Sequence, residues 1–235
     1  MKALDMTWCY GFDRYHVMSS AIPPAFSRVA PAAILTGGQA RRFQGRDKTS
    51  LVVDPAGRSI LEHQIELLAP IASEILIVTS AARAPEFSEG RLPAGSPASP
   101  AAAVRLRTVL DAHPGTGPLG AIVTALDATD ADWLFVIAGD MPHVSATLLA
   151  ALAHMHERTG NDATVPVSPR GLEPLCAIYA RSARPLLAGA LNSGDLSMQR
   201  ALQRLRAGIM PAGDVAAHGD PAILFRNINR PEDLM

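Results

Sequence analysis

Short apolar runs alternate with helix-like patterns from Pro31 onward, and this alternation organises most of the chain. Apolar runs bounded by turn residues are typical of buried strands, whereas apolar residues at every third or fourth position are typical of amphipathic helices. The pattern predicts, in order, a strand at AAILT, a helix from about Ser59 to Ala72, strands at EILIVT and LRTVL, a helix after Pro118 and a strand at WLFVIAGD. Strands separated by helices predict an α/β fold with a mostly parallel sheet and helices on both faces.

The second half of the chain continues the pattern. Ser145 precedes the helical pattern TLLAALAHMHER and is a good N-cap, because its oxygen can accept a hydrogen bond from a free N–H of the first turn. TVPVS and PLCAIY predict two more strands. Two further helices are expected, around 183–190 and 196–207, before a last strand at AILFRNI.

The chain of 235 residues is predicted to form one domain with two irregular segments. Residues 1–29 show no helical or strand period and are expected to be a poorly ordered N-terminal extension. The segment 81–103 is rich in Pro, Ala, Gly and Ser, a composition typical of a flexible surface loop. The predicted domain therefore covers 30–235, with a flexible loop around 81–103.

Charge and cysteine content exclude several functional classes. With 21 basic and 22 acidic side chains the net charge is -1, which gives no overall field for binding nucleic acid or an anionic membrane. Cys9 and Cys176 are too few and too far apart to indicate a disulfide framework or a zinc site. No apolar run approaches the ~20 residues of a membrane helix, and the first residues lack a secretory signal core. The sequence predicts a cytoplasmic protein without nucleic-acid or membrane partners.

Positive charge is nevertheless concentrated in one stretch, LTGGQARRFQGRDK, directly after the first predicted strand. A Walker A loop is excluded because Asp47, not glycine, precedes Lys48. A dinucleotide-binding fingerprint is excluded because Gly37 and Gly38 are adjacent and no third glycine follows at the required offset. A looser phosphate-binding loop remains, in which backbone amides and four cations surround a triphosphate: Arg41, Arg42, Arg46 and Lys48. The alternative for this stretch alone is a solvated basic turn.

Two acidic residues follow predicted strands, Asp140 at the end of WLFVIAGD and Asp111 at the end of LRTVLD. Ligands of open parallel sheets bind outside the carboxyl ends of the strands. Magnesium usually takes one or two protein carboxylates together with phosphate oxygens, so Asp140 is a candidate metal ligand. The alternative is that Asp140 only caps the turn before Met141 and Pro142.

Five ordered stretches, LTGG with ARRFQGRDK, VLDAHPGTGPLGA, FVIAGDMP, GLEPLCAIY and FRNINRPEDL, together resemble the landmarks of molybdenum cofactor guanylyltransferases. The resemblance covers nearly everything from Ala32 to the C-terminus. It implies a single nucleotide-binding α/β domain of the Rossmann-like type. The long loop after Ser80 and the N-terminal extension lie outside the resemblance.

The resemblance also implies site residues. It places the nucleotide against Leu35, Thr36 and Gly37, with further contacts from Lys48 and Asp111, and it makes Asp140 the magnesium ligand. Gly38, the second residue of the glycine pair, is a further candidate for nucleotide binding. Catalysis is expected to depend on Arg42, Lys48 and Asp140. The family usually has alanine at the position of Thr36, so the threonine adds a hydroxyl group near the nucleotide. Asn227 and Asn229 either close the site beside the metal or only satisfy backbone groups.

The implied reaction joins GMP from GTP to the phosphate of molybdopterin and releases pyrophosphate. The resemblance also admits molybdoenzymes or other cofactor-biosynthesis proteins as partners. One alternative is a molybdopterin cytidylyltransferase or another small-molecule nucleotidyltransferase, which uses the same magnesium chemistry. A second alternative, a non-catalytic nucleotide- or RNA-binding module, fits poorly with the neutral overall charge and an aromatic content of 5%.

Overall fold

The computed structural model describes residues 30–36, 58–84 and 104–228, and within these ranges eight strands form one mixed sheet. The strands are β1 (Ala30–Leu35), β2 (Ala72–Thr79), β3 (Arg105–Leu110), β4 (Trp133–Ala138), β5 (Ala163–Ser168), β6 (Gly171–Leu172), β7 (Cys176–Ala180) and β8 (Ala207–Met210). The helices are α1 (Ile60–Leu68), α2 (Pro118–Asp127), α3 (Ala146–Thr159), α4 (Arg184–Asn192), α5 (Met198–Gln203), α6 (Ala212–Ala216) and α7 (Pro221–Leu224). A 3-10 turn, Arg181–Ala183, precedes α4.

The strand order is β3-β2-β1-β4-β7-β5-β6, with β8 paired to β5. The first four strands in this order are mutually parallel. β7 is antiparallel to both β4 and β5, whereas β8 is parallel to β5. The predicted mostly parallel sheet is therefore confirmed, with β7 and the short β6 as its antiparallel members.

Successive side chains of the central strands point to opposite faces of the sheet and enter two separate cores. Ile34 of β1 belongs to a core with α1, α3, α6 and α7, and Leu35 belongs to a core with α2, α4 and α5. Both faces of β1 and β4 are thus buried, which explains their continuous apolar sequences. The predicted helices on both faces are confirmed.

The helix ends follow from local sequence. Ser59 caps α1 in a capping box, because its side chain accepts from the Glu62 N–H (3.3 Å) while its own N–H donates to the Glu62 carboxylate (2.7 Å). Ser145 caps α3 as predicted, accepting from the Leu148 N–H at 3.2 Å. No helix within the three described ranges is long and apolar enough to cross a membrane.

Three boundaries differ from the sequence-based prediction. Helix α1 ends at Leu68 rather than Ala72, because Pro70 cannot continue a helix. The predicted strand AILFRNI is wrong: Asp220 caps the short helix α7 there by accepting from the Ala222 N–H (2.9 Å). The last strand is instead β8, which the sequence pattern did not predict; only its first residue, Ala207, falls at the end of the helix predicted over 196–207. Residues 1–29 and 85–103 lie outside the described residues.

His156 is a buried histidine on the inner face of α3. It is 4% exposed, its Nδ1 lies 3.0 Å from the Thr164 hydroxyl oxygen, and its ring centroid lies 5.4 Å from that of Trp133. Burial lowers the pKa of His156, because the imidazolium form loses hydration. The neutral ring is therefore the form that this core accommodates.

We expect His156 to make the fold less stable in mild acid. Since its folded-state pKa lies below the unfolded value of about 6.5, stability from the neutral ring is complete above that pH and is lost as the pH falls. Urea unfolding should show a smaller loss of stability between about pH 8 and pH 5.5 for His156→Gln than for the parent. An equal loss in both proteins would contradict this assignment. His143 and His218, whose pKa values are also lowered by burial, leave a residual pH dependence in the variant.

Candidate active site

The strand order reverses between β1 and β4. The chain passes outward from β1 to β2 and β3, then returns through α2 to the opposite side of β1. Ligands of open α/β sheets bind outside the carboxyl ends of the strands at such a reversal. Leu35 ends β1 and Asp140 follows β4 on the same edge, and the Gly139 N–H donates to the Leu35 carbonyl oxygen at 2.9 Å. The structure therefore places these two predicted site residues on either side of the reversal.

Thr36 directs its hydroxyl group into the sheet. The backbone N–H and the side-chain hydroxyl of Thr36 both donate to the Val78 carbonyl oxygen, at 2.9 Å and 3.0 Å. The residue is only 5% exposed. The Thr36 hydroxyl group therefore strengthens the junction between β1 and β2, and its hydrogen is already used there.

Asp140 lies in a tight turn over residues 138–141 that follows β4. The Met141 N–H donates to the Ala138 carbonyl oxygen at 3.2 Å and closes the turn. The carbonyl oxygen of Asp140 accepts from the Ile228 N–H at 2.8 Å, which fixes the C-terminal segment beside it. The backbone around Asp140 is thus bound from two directions, and the residue is partly exposed.

Asp111 is oriented by its own loop and by α2. Its Oδ1 accepts from the His113 N–H at 2.9 Å and lies 3.2 Å from the Thr124 hydroxyl oxygen. The same threonine oxygen accepts from the Ala112 N–H at 3.1 Å. One carboxylate oxygen of Asp111 therefore holds the start of the HPGTG loop, while the residue remains partly exposed.

The two carboxylates are too far apart to bind one metal ion together. Two strands, β2 and β1, separate β3 from β4, and adjacent strands lie roughly 4.8 Å apart, so the strand ends are separated by about 14 Å. Magnesium–oxygen distances are only about 2.0–2.1 Å. Within the described ranges no cluster of three or more His, Cys, Asp or Glu side chains could hold a metal.

Several predicted site residues lie outside the described ranges. These are Gly37, Gly38, Arg42, Lys48 and Asn229. Asn227 is described, and its buried Oδ1 accepts no hydrogen bond from the described part of the chain. Its neighbour Ile228 makes the contact with the Asp140 carbonyl oxygen, so the FRNI segment does lie at the predicted edge.

Arg83 reaches the site although the sequence suggested no role for it. It follows β2, and its guanidinium Nη1 donates to the Thr36 carbonyl oxygen at the point where the glycine-rich loop begins. The surrounding alanine- and proline-rich sequence is typical of a surface loop, so it gave no indication of this contact. A cation four residues beyond a strand end was the only available signal.

Comparison with known proteins agrees with this arrangement. A family model described as the MobA-like NTP transferase domain matches residues 32–209, which include β1 to β8 almost completely. The chain belongs to the MobA-like NTP transferase family.

Relatives in this family carry names that refer to one activity. The "Probable molybdenum cofactor guanylyltransferase" of Chloroflexus aggregans is 36% identical over 207 residues, covering 86% of this chain and 89% of the relative. The "Molybdenum cofactor guanylyltransferase" of a Shewanella species (strain ANA-3) is 31% identical over 206 residues, covering 86% of this chain and 91% of the relative.

Solved structures confirm the single α/β nucleotidyltransferase domain. Molybdopterin-guanine dinucleotide biosynthesis protein A from Archaeoglobus fulgidus superposes with a TM-score of 0.69 and 29% identity, covering 87% of this chain and 94% of that chain. A 2-C-methyl-D-erythritol 4-phosphate cytidylyltransferase from Thermus thermophilus has a TM-score of 0.57 with 16% identity, covering 87% of this chain and 95% of that chain. The second similarity concerns the fold alone.

Gly120 allows the HPGTG loop of this family member to fold back onto α2. A Cβ atom at Gly120 would lie 2.0 Å from the Thr116 hydroxyl oxygen and 2.7 Å from the His113 Cβ. The Thr116 hydroxyl donates to the His113 carbonyl oxygen at 2.6 Å, so the loop has little freedom to move away. The loop conformation beside Asp111 therefore requires glycine at this position.

We expect Gly120→Ala to destabilise the protein by about 1–3 kcal/mol and to weaken GTP binding, because the loop beside Asp111 must shift. Gly189→Ala is the matched control, since a Cβ at this other helical glycine meets nothing within 4 Å. The control should gain roughly 0.5–1 kcal/mol and keep its GTP affinity. Urea unfolding and calorimetric GTP titration measure both effects. Unchanged stability and affinity in Gly120→Ala would show that the loop is not constrained in this way.

Proposed function

We propose that this family member transfers GMP from GTP to the phosphate of molybdopterin. A terminal phosphate oxygen of molybdopterin attacks the α-phosphorus of GTP and forms a new P–O bond. The bond from the α-phosphorus to the bridging oxygen breaks, and pyrophosphate leaves with that electron pair. The products are pyrophosphate and a molybdopterin guanine dinucleotide, so atoms and charges balance.

The observation that carries the proposal is the position of Leu35, Asp111 and Asp140 at one edge of the parallel sheet. All three lie at or just after the carboxyl ends of β1, β3 and β4. The chain is also 36% identical to a relative named for this activity. The separation of about 14 Å between the ends of β3 and β4 suits a ligand with two distinct ends. Asp111 is then available to the nucleoside and Asp140 to the phosphates.

The nucleotide is proposed to lie along the end of β1. Leu35 and Thr36 form the described start of this surface, and Gly37, Gly38 and Lys48 are proposed to continue it. The Thr36 N–H and hydroxyl group already donate hydrogen bonds to the Val78 carbonyl oxygen, so they are not available as donors to the ligand. We therefore expect the hydrogen bonds to the ligand to come from the residues that follow Thr36.

Magnesium is the proposed cofactor, and Asp140 would hold it. One partly exposed carboxylate at a strand end fits the usual magnesium site, in which phosphate oxygens and water complete the coordination shell. Bound there, the ion would supply charge neutralisation for the triphosphate. The backbone contacts of the 138–141 turn keep the carboxylate at the strand end, where the triphosphate is proposed to lie.

No general base is needed in this reaction. The attacking phosphate has a second pKa near ~6 and is largely ionised at neutral pH. The barrier depends instead on orientation and on charge stabilisation around the α-phosphate and the leaving pyrophosphate. Arg42 and Lys48 are the proposed cations, and their roles remain predictions.

We also propose that the product, the molybdopterin guanine dinucleotide, passes from this site to proteins that use or further process the molybdenum cofactor. Molybdoenzymes or other cofactor-biosynthesis proteins are the proposed partners, and the cytoplasm is the proposed location. Both proposals come from the family resemblance and the composition of the chain.

Nucleotide selectivity tests the assignment of the base. GTP with magnesium should raise the melting temperature of the protein more than CTP, ATP or UTP with magnesium does at equal concentration. A ligand at a hundredfold excess over its Kd adds about 2.7 kcal/mol, which corresponds to a shift of roughly 5–10 °C for a domain of this size. A larger shift with CTP would favour a cytidylyltransferase instead.

The Asp140→Asn variant tests the metal role. Asparagine keeps the side-chain acceptor that a turn cap uses but removes the negative charge that magnesium requires. We expect similar stability and a fall in turnover of at least about a hundredfold, partly recovered at high magnesium.

Asp130→Asn is the matched control, because Asp130 is an exposed acid whose carboxylate lies 3.6 Å from Arg181, away from the sheet edge. It should retain parental turnover. If Asp140→Asn behaved like this control at low magnesium, Asp140 would not be a metal ligand.

A further inference from the structure

Gln64 is a polar residue on the buried face of α1. It is 0% exposed and belongs to the same helical face as Leu61, Ile65 and Leu68, which pack into the core below the sheet. A fully buried amide is unfavourable unless its groups form hydrogen bonds. Its position therefore calls for an explanation other than packing.

The amide group of Gln64 spans the turn that carries Asp140. Its Nε2 donates to the Ala138 carbonyl oxygen at 2.8 Å and to the Met141 carbonyl oxygen at 3.1 Å. These are the first and last carbonyl groups of the 138–141 turn, and Asp140 lies between them. One side chain thus fixes both ends of this turn.

The carbonyl oxygen of the Gln64 amide shows that burying this side chain lowers the stability of the fold. The Gln64 Oε1 is buried and accepts no hydrogen bond from any residue that the structure describes. A buried acceptor without a partner is destabilising, and a methionine of similar length would avoid this penalty. What methionine lacks is the pair of N–H donors directed at the turn.

We propose that Gln64 is a positioning residue that sets the conformation of the 138–141 turn and thereby the direction of the Asp140 carboxylate. This inference rests on the proposed metal role of Asp140. Helix α1 is a rigid support, because its apolar face is fully packed in the core. The amide therefore holds the turn against the sheet edge before any ligand arrives, as preorganised catalytic sites require.

Gln64→Met is the variant that tests the proposal, with Leu68→Ala as its matched control. The control removes buried volume from the same face of α1 but leaves the two Gln64 hydrogen bonds to the turn in place. Amide hydrogen exchange should increase about tenfold or more at Gly139 and Met141 in Gln64→Met, because their N–H groups form the backbone hydrogen bonds at this turn, while Val136 and Ile137 in β4 remain protected. Leu68→Ala should lower the melting temperature without this local pattern.

A second measurement follows the ligand. Calorimetric titration of GTP at increasing magnesium should require about tenfold more magnesium for half-maximal binding by Gln64→Met, and the parental amount for Leu68→Ala. Unchanged exchange and unchanged magnesium dependence in Gln64→Met would overturn the proposal. Equal shifts in both variants would also overturn it, because they would reflect general destabilisation.

Two further variants keep the outcomes separate. If Gln64→Met does not fold, Gln64→Glu replaces it: only its protonated form has an O–H donor for a turn carbonyl, so its GTP affinity relative to the parent should rise as the pH falls. A ratio of the two GTP affinities that does not change with pH contradicts the inference.

The Asp140→Asn variant separates the positioning role from the metal role. If Asp140→Asn binds GTP with parental magnesium dependence, the proposed metal role fails. If Asp140→Asn is impaired and Gln64→Met is not, only the positioning role fails.

Discussion

The parallel pairing of β1 with β4 is the constraint on which the whole site depends. Through it, a strand that leads into the glycine-rich stretch lies directly beside a strand that leads into Asp140. The Gly139 N–H continues this ladder beyond β4 by donating to the Leu35 carbonyl oxygen. If the strand order did not reverse here, a helical connection would cover this edge, and neither strand end could face a ligand.

Backbone groups near this edge form hydrogen bonds with elements that are distant in sequence. Helix α1 contacts the turn of Asp140 through Gln64, and the C-terminal segment contacts it through the N–H of Ile228. The end of β1 is held by Val78 and by the guanidinium group of Arg83. Loops position functional groups well only when a rigid scaffold binds them, and here the scaffold includes both the start and the end of the described chain.

Most of the longer strands and the acidic strand ends could be predicted from sequence, because each has a local signature. The apolar run before Asp140 and the Ser145 cap are complete within a few residues, and both predictions are confirmed. The roles of Gln64 and Arg83 could not be predicted in this way, because their partners lie 74 and 47 residues away along the chain. A polar residue within the apolar face of α1 was visible, but its meaning depended on the fold.

The errors in the prediction have a similar physical origin. AILFRNI has the composition of a strand, yet Asp220 and Pro221 supply an N-cap and a first helical residue just before it. Strand β8 has four residues and, among the described strands, pairs only with β5 at the sheet margin, so it has no long apolar run to reveal it. Short elements are determined by the neighbours they meet, and those neighbours are set by tertiary structure.

Buried oxygens that accept no hydrogen bond within the described ranges lie at the proposed functional edge. Gln64 Oε1 lies on the Asp140 turn, Thr79 Oγ1 belongs to the last residue of β2, and Asn227 Oδ1 precedes the contact between Ile228 and Asp140. The sheet centre, by contrast, buries apolar side chains of β1 and β4, which pair in register from Ala32 with Phe135 to Leu35 with Ala138. Because each such oxygen is destabilising on its own, selection for stability alone would remove it. The three oxygens at this edge therefore support the proposal that the edge is maintained for binding and chemistry, although the buried Arg107 Nε in the middle of β3 shows that such groups also occur elsewhere in the described chain.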